Sequence, residues 1–285
     1  MSGLQQSSTS NSKSNKMNST SMNSPVVTPD ENIIPPRPSK MARAVSVMCD
    51  KNVPPFDEKS DTIKHHRVVD EYNLTNTIPM VNLLDPERKP LDSTIILDET
   101  GSMEMMGKEP MDAVNAYIKE QKESGLDVSL TLIKFNSLIN VVYEDKPISS
   151  DDVNIKNYNP NNMTALNDAI RYAILTAKTP RAVIIVTDGE DNLSITTQVE
   201  INTLIERATA LGWVFTFIGC NYEAMHQASM MPPSMHRYTS NESQGAPSLL
   251  HTMRGISGGI CRYNAMANTG ATQDELNEAL TQPLF

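Results

Sequence analysis

The sequence predicts an α/β fold: a Rossmann-like, doubly wound, mostly parallel six-stranded sheet with one antiparallel edge strand. Three observations predict it. From residue 93 onward, strand-like and helix-like stretches alternate in the order βαββαβαβαβα. Two of the strand-like stretches are continuous apolar runs rich in β-branched residues, the pattern of a strand buried on both faces. One pair of strands is joined tightly enough to be a hairpin, and that pair supplies the antiparallel edge.

The elements follow in order. Residues 93–97 (STIIL) are the first strand, ending in an acidic turn. Pro110 stands where a first-turn proline belongs, Ala113, Val114, Tyr117 and Ile118 recur at helical spacing as far as Glu123, and Gly125 stops the helix. Residues 128–135 and 138–143 are two strands turned at Asn136 and Ser137. Helices are expected over 164–177, 198–211, 222–229 and 247–256, and strands over 182–186, 213–218 and 236–238. Residues 264–285 are expected to be a C-terminal tail, loosely attached from Gly270 on.

The region before the domain has a different composition. Residues 1–40 are mostly Ser, Thr, Asn, Lys and Pro, too poor in apolar side chains to offset chain entropy, and are expected to be disordered. Within them Pro35, Pro36, Arg37 and Pro38 suit a spacer, or else a short polyproline II ligand for an SH3-type partner. Residues 41–92 carry Pro54, Pro55, Pro79, Pro86 and Pro90, which forbid long helices and central strands, so an extended arm is expected there. Residues 93–263 then form one domain.

Charge and cysteine content restrict the function. The 285 residues hold 24 Lys and Arg against 34 Asp and Glu, a net charge of −10 that argues against nucleic-acid binding as the main task. The acidic excess lies outside residues 1–40, where Lys13, Lys16, Arg37 and Lys40 outnumber Asp30 and Glu31. Cys49, Cys220 and Cys261 are odd in number and widely spaced, giving neither a disulfide framework nor a zinc pattern, and read as free thiols in a reducing compartment. The opening residues (MSGLQQSSTS) lack the apolar run of a signal peptide, and no apolar stretch reaches the length of a membrane span. A cytoplasmic, soluble protein is expected, or a virion component if the source is viral.

In an open parallel sheet, ligands bind beyond the carboxyl ends of the strands, where the strand order reverses. With the order 3-2-1-4-5-6, the first strand and the 182–186 strand are neighbours at that point. Asp98, Thr100 and Ser102 follow the first, Asp188 follows the other, and Thr164 stands ahead of the helix after the hairpin. Two carboxylates and three hydroxyls, with no sulfur or imidazole, are a hard oxygen set of the kind Mg²⁺ prefers, with Mn²⁺ or Ca²⁺ as alternatives. Such a set leaves a coordination position that a carboxylate on another molecule can fill.

The pattern DETGS (Asp98, Thr100, Ser102), then Thr164, then TDG with Asp188 resembles the metal-ion-dependent adhesion site of von Willebrand factor type A domains, DxSxS followed by a distant Thr and Asp. Thr100 stands where that family usually has Ser. The resemblance runs over residues 93–263. STIILDETGSM, NMTALNDAI, AVIIVTDGEDN and LGWVFTFIGCNYEA look like the short stand-alone A domains of bacterial, phage and large-virus proteins. It implies metal ligation by Asp98, Thr100, Ser102, Thr164 and Asp188. It also implies a non-enzymatic, cation-dependent module that binds a protein partner through a Glu or Asp carboxylate.

Simpler readings stand beside these. Taken singly, Asp98 is a turn residue and Thr164 a helix N-cap. Glu190 and Asp191 read as solvated acids in the first turn of the next helix, with Glu190 alternatively tuning the site, and Glu99 reads as a surface residue. His65 and His66 belong to a polar linker. Met103, Met105 and Met106 serve as core filler or as a soft contact surface. Cys220 is a small buried hydrophobe rather than a nucleophile for His226. Two other functions are expected to compete: a Mg²⁺-dependent phosphohydrolase using Asp98, and a structural assembly or scaffold protein with a degenerate metal site. A nucleotide-binding P-loop is excluded, since GxxxxGK[ST] does not occur.

Overall fold

A computed structural model describes residues 64–66 (backbone), 90–241 and 245–281 of the chain. The expected tail over 1–40, the Pro35 to Pro38 segment, Cys49 and most of the 41–92 arm lie outside the described residues. Among the described residues seven strands form one sheet: β1 (Lys64–His66), β2 (Asp92–Asp98), β3 (Ser129–Phe135), β4 (Ile139–Pro147), β5 (Arg181–Thr187), β6 (Val214–Gly219) and β7 (His236–Thr239). Their order is β1-β4-β3-β2-β5-β6-β7. The five strands β3, β2, β5, β6 and β7 run parallel, and β4 pairs antiparallel with β3. This is the expected α/β sheet, with β1 added antiparallel beyond β4. β1 includes His65 and His66, which the sequence reading leaves in a linker.

Among the described residues six α-helices flank the sheet: α1 (Glu109–Glu123), α2 (Leu166–Thr176), α3 (Gln198–Ala210), α4 (Tyr222–Ser229), α5 (Leu249–Ala267) and α6 (Gln273–Thr281). Alternation along the strands divides the core into two layers. Ile96, Ile133, Val183, Ile185 and Phe217 pack against Ile170 and Ile174 of α2 and Ile201 and Ile205 of α3. Ile95, Leu97, Leu132, Ile184 and Val186 pack on the other side against Val114 and Tyr117 of α1 and Met253 and Ile256 of α5. Because β2 and β5 carry apolar side chains to both layers, they form the centre of the sheet. No helix among the described residues is long and apolar enough to cross a membrane.

The C-terminal expectations are revised in two places. The last helix was expected to end near Ile256, but α5 continues to Ala267 through Gly258 and Gly259. Glycine is a poor helix former, yet the helix runs through both, and Gly259 faces α6: a Cβ there would make ordinary contact, 3.6 Å from the Leu280 carbonyl oxygen. The expected tail therefore contains a docked helix, whose Leu276, Ala279 and Leu280 are buried. Leu276 is 0% exposed, so Leu276→Ala is expected to cost about 2 kcal/mol in chemical denaturation. A loss of a few tenths would mean that α6 does not belong to the folded core.

Candidate functional site

β2 leads by way of α1 to β3 on one side, whereas β5 leads by way of α3 to β6 on the other, so the carboxyl ends of β2 and β5 bound the switch point of the sheet. Their register pairs Leu97 with Val186, which sets Asp98 beside Thr187. Asp98 is fully buried, and its two oxygens accept from Thr100 N at 2.8 Å and from Thr187 Oγ1 at 2.5 Å. Thr187 was absent from the sequence-derived set, because a strand-end threonine carries no signal apart from its neighbour across the sheet.

The chain leaves β2 in a 3₁₀ turn, Gly101–Met106, for which Thr100 is the N-cap residue. Thr100 makes no side-chain capping bond; its Oγ1 lies 3.1 Å from Ser102 Oγ. Ser102 Oγ donates in turn to Asp188 Oδ1 at 2.6 Å. Met103 anchors the turn in the core, while Met105 is 95% exposed and Met106 packs partly against the core. The filler and contact-surface readings of these methionines thus apply to different residues.

Thr164 reaches the same place from the other side. A Cβ on Gly189 would stand 3.8 Å from both Ser102 Oγ and Thr164 Oγ1, so a glycine after Asp188 keeps the space between the two hydroxyls open. Thr164 is not a helix cap: Ala165 holds that position, and Thr164 is bonded into the loop after β5. Asn192 Oδ1 accepts from Thr164 N at 2.9 Å, and Thr164 O accepts from the Asn192 and Leu193 amides at 3.0 Å each. Asn162, at φ +66°, turns the preceding chain so that its carbonyl accepts from Gly101 N at 3.2 Å. Asparagine tolerates this left-handed conformation better than most residues.

The structure thus gathers Asp98, Thr100, Ser102, Thr164 and Asp188 at the switch point. Burial raises Asp98 to about 6, with hydrogen bonds from Thr100 and Thr187 opposing the shift and the Asp188 charge adding to it. Asp188 is also raised, chiefly by burial, against the bond from Ser102. No salt bridge among the described residues engages either carboxylate. Nor does any group of three His, Cys, Asp or Glu side chains among them suit a metal; the remaining oxygens at this centre are hydroxyls. Buried, unneutralised carboxylates with convergent hydroxyls fit a hard divalent cation.

Several supporting residues differ from expectation. Glu99 is not a surface residue: it is 8% exposed, pairs with Lys134 at 2.6 Å, and accepts from Asn159 N at 2.8 Å. Its partner is distant in sequence, so no local pattern reveals the pair. Glu190 and Asp191 are not in a helical first turn, since α3 starts only at Gln198. Glu190 bonds His226 Nδ1 at 2.6 Å, and Asp191 Oδ1 accepts from Ser194 Oγ at 2.5 Å. Asp168, buried on α2, accepts from the Ile195 and Thr196 amides at 3.0 and 2.9 Å and holds the loop after Asp188 in place. Cys220 is buried, which raises its thiol pKa, and His226 turns instead to Glu190.

No protein-family model matches the sequence, and no curated protein matches it. Solved structures do. The chain is similar to a von Willebrand factor type A protein from Catenulispora acidiphila, at 15% identity and a TM-score of 0.44 over 61% of this chain and 43% of that one. It is similar to the pilus adhesin SpaC from Lactobacillus rhamnosus GG in its open conformation, at 13% identity and a TM-score of 0.49 over 61% and 30%. A third is proximal thread matrix protein 1 from the mussel byssus with a zinc-occupied MIDAS motif, at 13% identity and a TM-score of 0.41 over 64% and 48%. The matched region spans less than half the length of each of these solved chains. The likeness is one of fold alone.

Proposed function

We propose that this chain is a von Willebrand factor type A-like, divalent-cation-dependent protein-binding module. Asp98, Thr100, Ser102, Thr164 and Asp188 would hold Mg²⁺, with Mn²⁺ or Ca²⁺ as alternatives. When bound, the ion supplies an open coordination position and positive charge for a Glu or Asp carboxylate of the partner. The observation that carries this reading is the hydrogen-bonded group at the switch point: Asp98, Thr100, Ser102 and Asp188 connected through bonds of 2.6 to 3.1 Å, with no basic side chain paired to either acid among the described residues.

Each residue has a distinct task. Asp98 is enclosed, so it acts from beneath the site and holds the turn through Thr100 N. Ser102 and Asp188 lie nearer solvent, and Gly189 leaves room between the Ser102 and Thr164 hydroxyls. Met105, in the same 3₁₀ turn as Ser102 and almost wholly exposed, offers an adaptable apolar contact to a partner. The same geometry speaks against a phosphohydrolase: a nucleophilic Asp98 would need to meet a phosphoryl group, and it is fully buried. It can still act on an ion from beneath, through the Thr100, Ser102 and Asp188 oxygens linked to it. An intracellular location fits the free thiols of Cys220 and Cys261, and it spares the Asn162-Met163-Thr164 sequon a glycan at the site.

The test is calorimetric titration of Mg²⁺ into the wild type and Asp188→Ala, followed by capture of partners in Mg²⁺ and in EDTA. Wild type is expected to bind one ion, Asp188→Ala to bind at least tenfold more weakly, and partners to be lost both in EDTA and with the variant. Equal Mg²⁺ binding by the two proteins would overturn the reading.

A further inference from the structure

A groove of about 420 Å³ opens beside this centre, lined by Lys108, Met111, Lys156, Asn157, Tyr158 and Asn159. It lies between the start of α1 and the loop that crosses over β2, and its walls contact the site. Tyr158 Oη donates to the Asp98 carbonyl oxygen at 2.7 Å, and Asn159 N donates to Glu99 Oε1 at 2.8 Å. Lys108 and Lys156 are exposed, and neither forms a salt bridge among the described residues. Of the acids in the first turn of α1, Glu109 faces α5, where it accepts from Leu249 N at 2.9 Å, and Asp112 is exposed. On a chain of net charge −10, two lysines stand together next to the acidic centre.

We propose that this groove receives an acidic segment of the partner protein, so that the partner supplies at least two carboxylates, one to the Asp98 and Asp188 centre and another to Lys108 and Lys156. The proposal rests on the cation-dependent reading of that centre. One carboxylate at an ion selects only for acidity. A second anchor in the same segment is met at high effective concentration and requires a spacing between acids, which is where specificity arises. Lysine ammonium groups on flexible stems suit such a contact, since they follow carboxylates without demanding a fixed geometry. The Met111 side chain and Tyr158 ring offer apolar surface to the methylenes of a glutamate. The lysines also steer an acidic segment toward a face that the net charge of the chain would otherwise repel.

The experiment measures binding of fluorescein-labelled hexaglutamate by anisotropy in Mg²⁺ and in EDTA. It compares wild type with Lys108→Glu/Lys156→Glu and with Lys119→Glu/Lys178→Glu, which changes the net charge equally at exposed positions away from the groove. In Mg²⁺ the groove variant is expected to bind about tenfold more weakly than wild type and the control variant within about twofold. The proposal is overturned if hexaglutamate does not bind wild type in Mg²⁺, if the groove variant binds as wild type does, or if the control weakens as much. If EDTA leaves wild-type affinity unchanged while the groove variant still binds weakly, the cation-dependent reading fails and the groove alone is the acidic-segment site.

Discussion

Saturating Mg²⁺ is expected to raise the unfolding temperature of the wild-type chain, and Asp98→Asn to abolish that response while making the metal-free protein more stable. At a free concentration of one hundred times the dissociation constant, an ion bound only by the folded state adds about 2.7 kcal/mol. For a domain of this size that corresponds to roughly 5 to 10 °C. The second half of the expectation follows from the metal-free site. Asp98 is fully buried, burial raises it to about 6, and no cation neutralises it among the described residues. Asparagine keeps the size and shape, retains an oxygen for Thr100 N, and presents an amide to Thr187 Oγ1 in place of a charge. A residue maintained at a cost to the empty fold is explained by what it binds. Thermal unfolding of both proteins with and without Mg²⁺ measures both effects. An equal Mg²⁺ shift in Asp98→Asn and wild type would separate Asp98 from the ion.

The other large effect concerns Lys134 and Glu99. Both side chains are about 10% exposed and 2.6 Å apart, and Lys134 Nζ also donates to the Asn157 carbonyl oxygen at 3.1 Å. Lys134→Met leaves Glu99 buried without its counter-charge and is expected to cost about 3 kcal/mol. The midpoint temperature should fall on the order of 10 °C. Glu99→Gln/Lys134→Met removes both charges and leaves an oxygen for Asn159 N, so most of the loss should be recovered. The four unfolding free energies of this cycle give the coupling directly. Additive losses would mean that the two charges do not support each other. Because Glu99 lies between Asp98 and Thr100 and holds the loop that carries Tyr158, Lys134→Met should also weaken Mg²⁺ binding.

The strands from β2 to β7 were legible, most of them to within a residue at each end, because burial on two faces demands runs such as STIIL and AVIIV; β4 runs on to Pro147, past its expected end at 143, and β1 was not anticipated. Hairpin and crossover rules implied a mostly parallel sheet with one antiparallel edge, and the observed order from β4 to β7 is the 3-2-1-4-5-6 arrangement on which the switch-point expectation was conditional. The candidate residues were legible for a related reason: polar side chains immediately after such strands can only sit at the sheet's carboxyl edge. Thr187 and the Glu99–Lys134 pair were not, because each depends on a partner brought close only by strand pairing or by the chain's return over β2.

Helix α6 marks the limit most clearly. Gln273–Thr281 has three buried positions on an otherwise polar sequence, too few to specify a helix alone, and the expected helix over 247–256 stops short of Gly258 and Gly259, through which α5 continues. Only packing of the two segments on each other and on the core, with Leu276, Ala279 and Leu280 buried, makes helix the favourable state for both. Local periodicity and burial are thus enough to read the strongly patterned strands and helices and the polar residues that follow them, but not where a glycine-containing helix stops. Only the folded chain settles the contacts between distant segments: which acid is paired, which turn is held, and which lysines line the groove beside Asp98 and Asp188.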